Sequence, residues 1–128
     1  MTRQAVSTSS APPAAGPYSQ AIATDDLVFC AGQIGRDPAT GDLLAGVEAQ
    51  TEQVIRNLLA VLDAAGCTFA DVVKTTCFLA DINDFAAFNE VYARFMSDPT
   101  PARSTFQVAA LPMGALVEIE AIAVRQRG

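Results

Sequence analysis

The sequence predicts an α+β fold, with two helices packed on one face of a mixed β-sheet. Three observations predict it. Short runs of β-branched and apolar residues come in pairs near both ends of the chain, two helical periodicities lie between them, and turn residues separate the segments. The order is ββ-α-β-α-ββ, with hairpins expected at both ends and the sheet face away from the helices left to bury against other subunits. The whole chain, residues 1–128, reads as one domain without an internal repeat.

Each element has a local reason. The first sixteen residues are rich in Ser, Thr, Ala and Pro; they offer an edge strand, then loop from Ser9 to Gly16. Ala21 to Ala23 and Leu27 to Gln33 are strands around a turn at Thr24-Asp25-Asp26. Asp37 to Asp42 is dense in turn formers and reads as an exposed loop, with Arg36 a solvated charge beside it. From Val47 to Ala65, Val47, Val54, Leu58, Val61, Leu62 and Ala65 recur at helical spacing, and Gly66 is a natural stop. Thr68 to Asp71 resembles a capped turn leading into a strand from Val72 to Ala80. Asp81 and Asn83 offer caps for a helix from Asp84 to Met96 with an aromatic stripe of Phe85, Phe88, Tyr92 and Phe95. The last strands run from Arg103 to Ala110 and from Leu116 to Arg125, joined across Leu111 to Gly114.

Composition narrows the function. The chain is 51% hydrophobic and 17% charged, yet no apolar run reaches the length of about 18 residues that a membrane helix requires. The apolar surplus therefore points to a subunit interface and a homo-oligomer. Net charge is −6, and the eight basic residues are scattered singly, so nucleic acid is an unfavoured partner. Cys30, Cys67 and Cys77 form no CxxC pair and suit reduced thiols in a cytoplasm. The absence of histidine removes the usual general base and the commonest metal ligand. No metal or organic cofactor is expected. Cys30 and Cys77 read as inert core thiols, since no histidine is present to activate them.

The chemistry concentrates near the C-terminus. Strand alternation places Arg103, Thr105 and Gln107 on one face, and Glu118 and Glu120 share a face of the last strand. A buried charge is costly without a partner or a ligand. If the two strands are neighbours, Arg103 and one glutamate lie within reach. Spacing alone admits two readings: a structural ion pair, or a cationic fork for a small carboxylate beside a carboxylate that aims a water. Tyr18 follows a rigid Gly16-Pro17 step and reads first as a cap on the core edge. Gly32, inside a strand, marks a bulge, a close approach or plain packing, and Asn89 sits among the aromatics of the second helix.

Six segments, taken in order, carry a resemblance: Gly16-Pro17-Tyr18-Ser19-Gln20, Ala31-Gly32-Gln33-Ile34, Asp37-Pro38-Ala39-Thr40-Gly41, Val73-Lys74-Thr75-Thr76, Pro101-Ala102-Arg103-Ser104 and Glu118-Ile119-Glu120-Ala121-Ile122-Ala123. Together they resemble the YjgF/RidA family across nearly the whole chain. The resemblance implies a chorismate-mutase-like fold and a homotrimer with clefts at subunit boundaries. It also implies hydrolysis of reactive 2-imino acids or their enamine tautomers, of the 2-iminobutanoate and 2-iminopropanoate type, to 2-keto acids and ammonia. By the same resemblance Arg103 grips the substrate carboxylate and Glu118 helps place the attacking water. Tyr18, Gly32, Asn89 and the backbone N–H of Thr105 line the cleft. Thr105 stands where members often carry cysteine, and Ala31 where many carry serine. Rival functions are a ribonuclease or translation inhibitor, a label the family has also carried, and a non-catalytic carboxylate-binding or chaperone-like module.

Overall fold

The computed structural model describes residues 2–125 and consists of a six-stranded sheet with two helices. The strands are β1 (Gln4–Val6), β2 (Ala21–Ala23), β3 (Leu27–Ile34), β4 (Val72–Leu79), β5 (Ala102–Gln107) and β6 (Val117–Val124); the helices are α1 (Val47–Ala64) and α2 (Phe85–Phe95). Sheet order is β1-β2-β3-β6-β4-β5, antiparallel throughout except for the parallel β4–β5 pair.

The two helices cover one sheet face. Val28 and Cys30 of β3, Thr75, Cys77 and Leu79 of β4, and Val117, Ile119, Ala121 and Ala123 of β6 are buried there. They meet Val54, Ile55, Leu58, Val61 and Leu62 of α1 and Phe88 of α2 in one core. α1 ends as the position of Gly66 predicts. The Cys67 N–H donates to the Leu62 carbonyl and the Gly66 N–H to the Asp63 carbonyl, and Gly66 takes φ +79°, a conformation that costs glycine little. Thr68 and Asp71 form a capping box at the turn before β4.

One expectation fails. β5 and β6 do not form a hairpin, because β4 lies between them. β4 and β5 are joined through α2, and a strand returning from a helix crossover pairs in parallel. Residues 108–116 then carry the chain past β4, and β6, apolar at every second position, occupies the slot between β3 and β4. A strand buried along its whole helix-side face belongs at the centre of the sheet. The remaining differences are at element ends, where α2 starts at Phe85 and β5 stops at Gln107.

The other sheet face is bare in the single chain. Phe29 and Phe106 are exposed there, and Phe106 packs edge-on against Phe78 with ring centroids 5.3 Å apart. Among the described residues no helix is long and apolar enough to cross a membrane.

Candidate active site

Arg103 sits on β5 opposite Thr75 of β4, so its side chain rises from the helix-covered face. There it meets the aromatic stripe of α2. The guanidinium carbon lies 4.8 Å from the Tyr92 ring centroid, 5.5 Å from Phe88 and 5.6 Å from Phe85. Tyr92 is held in place by a 2.7 Å hydrogen bond between its hydroxyl and that of Thr75. Ring faces stabilise a cation without consuming its N–H donors. The ion pairs of the described residues, Arg56–Glu52 and Arg94–Glu90, leave Arg103 without a carboxylate.

Two further polar groups beside it lack partners. Asn89 Oδ1 on α2 and Thr105 Oγ1 on β5 are buried and have no partner of good hydrogen-bond geometry among the described residues, the Thr105 hydroxyl having only the weakly bonding Cys77 thiol beside it. Asn89, Tyr92, Met96, Thr100, Pro101 and Arg103 line a cavity of about 410 Å³. Buried polar atoms are nearly always satisfied, so a forked cation with two orphaned neighbours is fitted for a ligand bearing both acceptors and donors.

Glu118 lies elsewhere. It pairs with Phe78 of β4 and Ile34 of β3 and projects from the open sheet face, opposite the face from which Arg103 rises. β3 is bulged between Cys30 and Gln33, and the bulge brings Gly32 against the Glu118 carboxylate. A Cβ at Gly32 would collide with Glu118 Oε2, so a side chain there would displace the carboxylate end of Glu118. Tyr18, Gly32, Ile34, Arg36, Met113 and Glu118 are among the walls of a second cavity of about 340 Å³. Burial raises the Glu118 pKa above the ordinary carboxylate value, and the neighbouring Glu120 raises it further. The Tyr18 hydroxyl accepts the Ala15 N–H, which sets the ring at the cavity wall.

The six candidate residues thus fall into two groups. Arg103, Asn89 and Thr105 are together beside α2; Tyr18, Gly32 and Glu118 are together on the open face. The expected proximity of Arg103 to a glutamate within one chain is overturned, since β4 separates their strands and they leave opposite faces. Sequence reading found the aromatic stripe of α2 but did not connect it with Arg103. It also took Arg36 for a solvated charge, whereas the half-buried side chain lines the Glu118 cavity. Cys30 and Cys77 are buried, and burial pushes their thiols up to about 12 and about 11, away from the reactive thiolate form. Among the described residues no group of three or more His, Cys, Asp or Glu is placed to hold a metal ion.

The family signature described as endoribonuclease L-PSP matches residues 8–125. The chain belongs to this family, RidA/YjgF. Human 2-iminobutanoate/2-iminopropanoate deaminase is 48% identical over 126 residues, which cover 98% of this chain and 92% of the human protein. The chloroplastic Reactive Intermediate Deaminase A of Arabidopsis thaliana is 52% identical, over 94% of this chain and 65% of the plant protein. Among solved structures, RidA from an Antarctic Psychrobacter superposes with a TM-score of 0.93 at 48% identity, covering 94% of this chain and 98% of that one. Escherichia coli TdcF, solved with bound serine, gives 0.93 at 43% identity over 96% and 99% of the two chains. The α+β fold of the RidA family is therefore common to all of them.

Proposed function

We propose that the protein hydrolyses 2-imino acids to 2-oxo acids and ammonia, at sites completed when copies of this single-domain chain associate as a homotrimer. The observation that carries the reading is the unpaired Arg103 guanidinium beside the orphaned Asn89 and Thr105 oxygens. A substrate carboxylate meets the fork with two charge-assisted hydrogen bonds, each contributing about 1.5–3 kcal/mol. The relatives named as 2-imino acid deaminases, and the serine bound to TdcF with its carboxylate next to a nitrogen-bearing carbon, support it.

Glu118 supplies the proton transfers. A carboxylate with a raised pKa is a stronger base than an ordinary one. It takes a proton from water as the water oxygen bonds to the electrophilic iminium carbon, giving a carbinolamine. Glu118 returns that proton to the nitrogen. The C–N bond then breaks, its electron pair leaving on ammonia as the oxygen lone pair forms the carbonyl; Glu118 takes the hydroxyl proton and passes it to the ammonia, and ammonium and the 2-oxo acid depart. Holding acid and water in register supplies several kcal/mol of the barrier.

Arg103 and Glu118 leave opposite sheet faces, so one substrate reaches both when the Arg103 side of one copy meets the Glu118 side of another. The exposed Phe29 and Phe106 give the bare sheet face the apolar character such contact requires. Three unpaired buried cysteines fit a reducing compartment such as the cytoplasm. Ribonuclease activity is the weaker reading, because a chain of net charge −6 with scattered basic residues offers no phosphate track. The test generates 2-iminopropanoate with an amino-acid oxidase and follows its loss by semicarbazide trapping. Accelerated loss supports the reading, and loss at the uncatalysed rate contradicts it.

A further inference from the structure

The Glu118 cavity contains a cation that the reaction above does not use. Arg36 lies two residues beyond β3, and its place is fixed from three directions. Its backbone bridges to Leu43, its carbonyl accepts the Asn57 side-chain amide at 3.0 Å, and its Nε donates to the Gly41 carbonyl at 3.1 Å. A guanidinium has five N–H donors, and this loop bond takes one. No carboxylate of the described residues forms an ion pair with it, and the neighbouring Asp37 accepts the Ala39 N–H. Between Arg36 and Glu118 the cavity wall is mainly apolar, formed by Pro12, Pro13, Ala31, Ile34, Pro112 and Met113. Among the described residues Arg36 is the sole cationic and Glu118 the sole anionic residue lining it, and the two are not paired. An unneutralised, positioned guanidinium in an apolar-walled cavity attracts an anion more strongly than a solvated one does.

We infer that Arg36 binds a second carboxylate on the substrate side chain, so that the chain favours 2-imino dicarboxylic acids over the 2-iminopropanoate type. This rests on the deaminase reading, with Arg103 holding the carboxylate next to the imine and Arg36 the distal one. Both ends of such a substrate are then anchored, and the imine carbon lies between them at Glu118.

The test compares 2-iminosuccinate with 2-iminopropanoate, each released in situ by an amino-acid oxidase from aspartate or alanine. The readout is the ratio of their kcat/KM values in wild type, Arg36→Gln and Arg36→Lys. Loss of one charge-assisted contact predicts a ratio about 10- to 100-fold lower in Arg36→Gln, with most of it restored by Arg36→Lys. An unchanged ratio in Arg36→Gln overturns the assignment. An equal loss in both variants also overturns it, pointing to the Gly41 bond rather than the charge. Wild type acting on 2-iminopropanoate but not on 2-iminosuccinate rejects this subsite and leaves the deaminase intact. Wild type acting on neither rejects the deaminase itself.

Discussion

The helix-covered face and the bare face of the sheet hold their ionised groups by opposite means. On the covered face Arg103 is cradled by three aromatic rings that stabilise its charge and leave its donors free. On the bare face Glu118 has no such support; burial and Glu120 both disfavour its ionised form. One site is built to keep a charge, the other to make it easily lost. That contrast suits a fixed anchor for an anion and a group that exchanges a proton. On the proposed function each half is completed by a second copy of the chain.

Removing the anchor gives the largest effect. Arg103→Ala is expected to lower kcat/KM for 2-iminopropanoate by about 10²- to 10⁴-fold, from two charge-assisted hydrogen bonds, with the fold retained by circular dichroism. A change below threefold breaks the contrast. Glu118→Gln follows, at about 10²- to 10³-fold in kcat. In wild type, activity falls as pH drops through a pKa above the ordinary carboxylate value, and Glu118→Gln abolishes that limb. Stability has the matching sign. The folded state holds the Glu118 proton more tightly than the unfolded state, so stability is lost as pH rises from the unfolded pKa to the folded one. Glu118→Gln therefore flattens that fall in a series of thermal melts.

Two glycines sharpen the contrast further. Gly32→Ala drives a methyl against the flexible end of Glu118, so activity drops about tenfold while the melting temperature changes little. Gly35→Ala meets the Gln50 backbone, with Cα at 2.7 Å, and destabilises by about 1–3 kcal/mol. Were the two glycines to exchange these effects, the close approach at Glu118 would be structural instead of functional. Asn89→Ala and Thr105→Val are the mildest, at about three- to tenfold in KM, because each removes one neutral contact to the bound substrate, Asn89 Oδ1 accepting from its nitrogen and the Thr105 hydroxyl donating to its carboxylate.

Most of the fold was legible because its signals are local. The apolar spacing of α1 and the glycine after it, and the alternation of β6, follow from residues close in sequence. Strand order was not legible at the C-terminal end. Both a hairpin and a skip past β4 satisfy the same alternation, and the crossover through α2 decides between them. The site was half legible for a related reason. Arg103 and Glu118 were conspicuous as charges on strands, but the face each occupies depends on register, which only pairing with β4 fixes. Arg36 was missed because a loop arginine gives no sign that a cavity lies beneath it.

Complementation tests most directly whether the two halves come from different copies. Arg103→Ala and Glu118→Gln chains, each inactive alone and carrying different tags, are refolded together, and oligomers holding both tags are isolated. Sites pairing an intact Arg103 from one chain with an intact Glu118 from the other predict recovery of a substantial fraction of wild-type ammonia release. Mixed oligomers as inactive as their parents would contradict a site shared between copies.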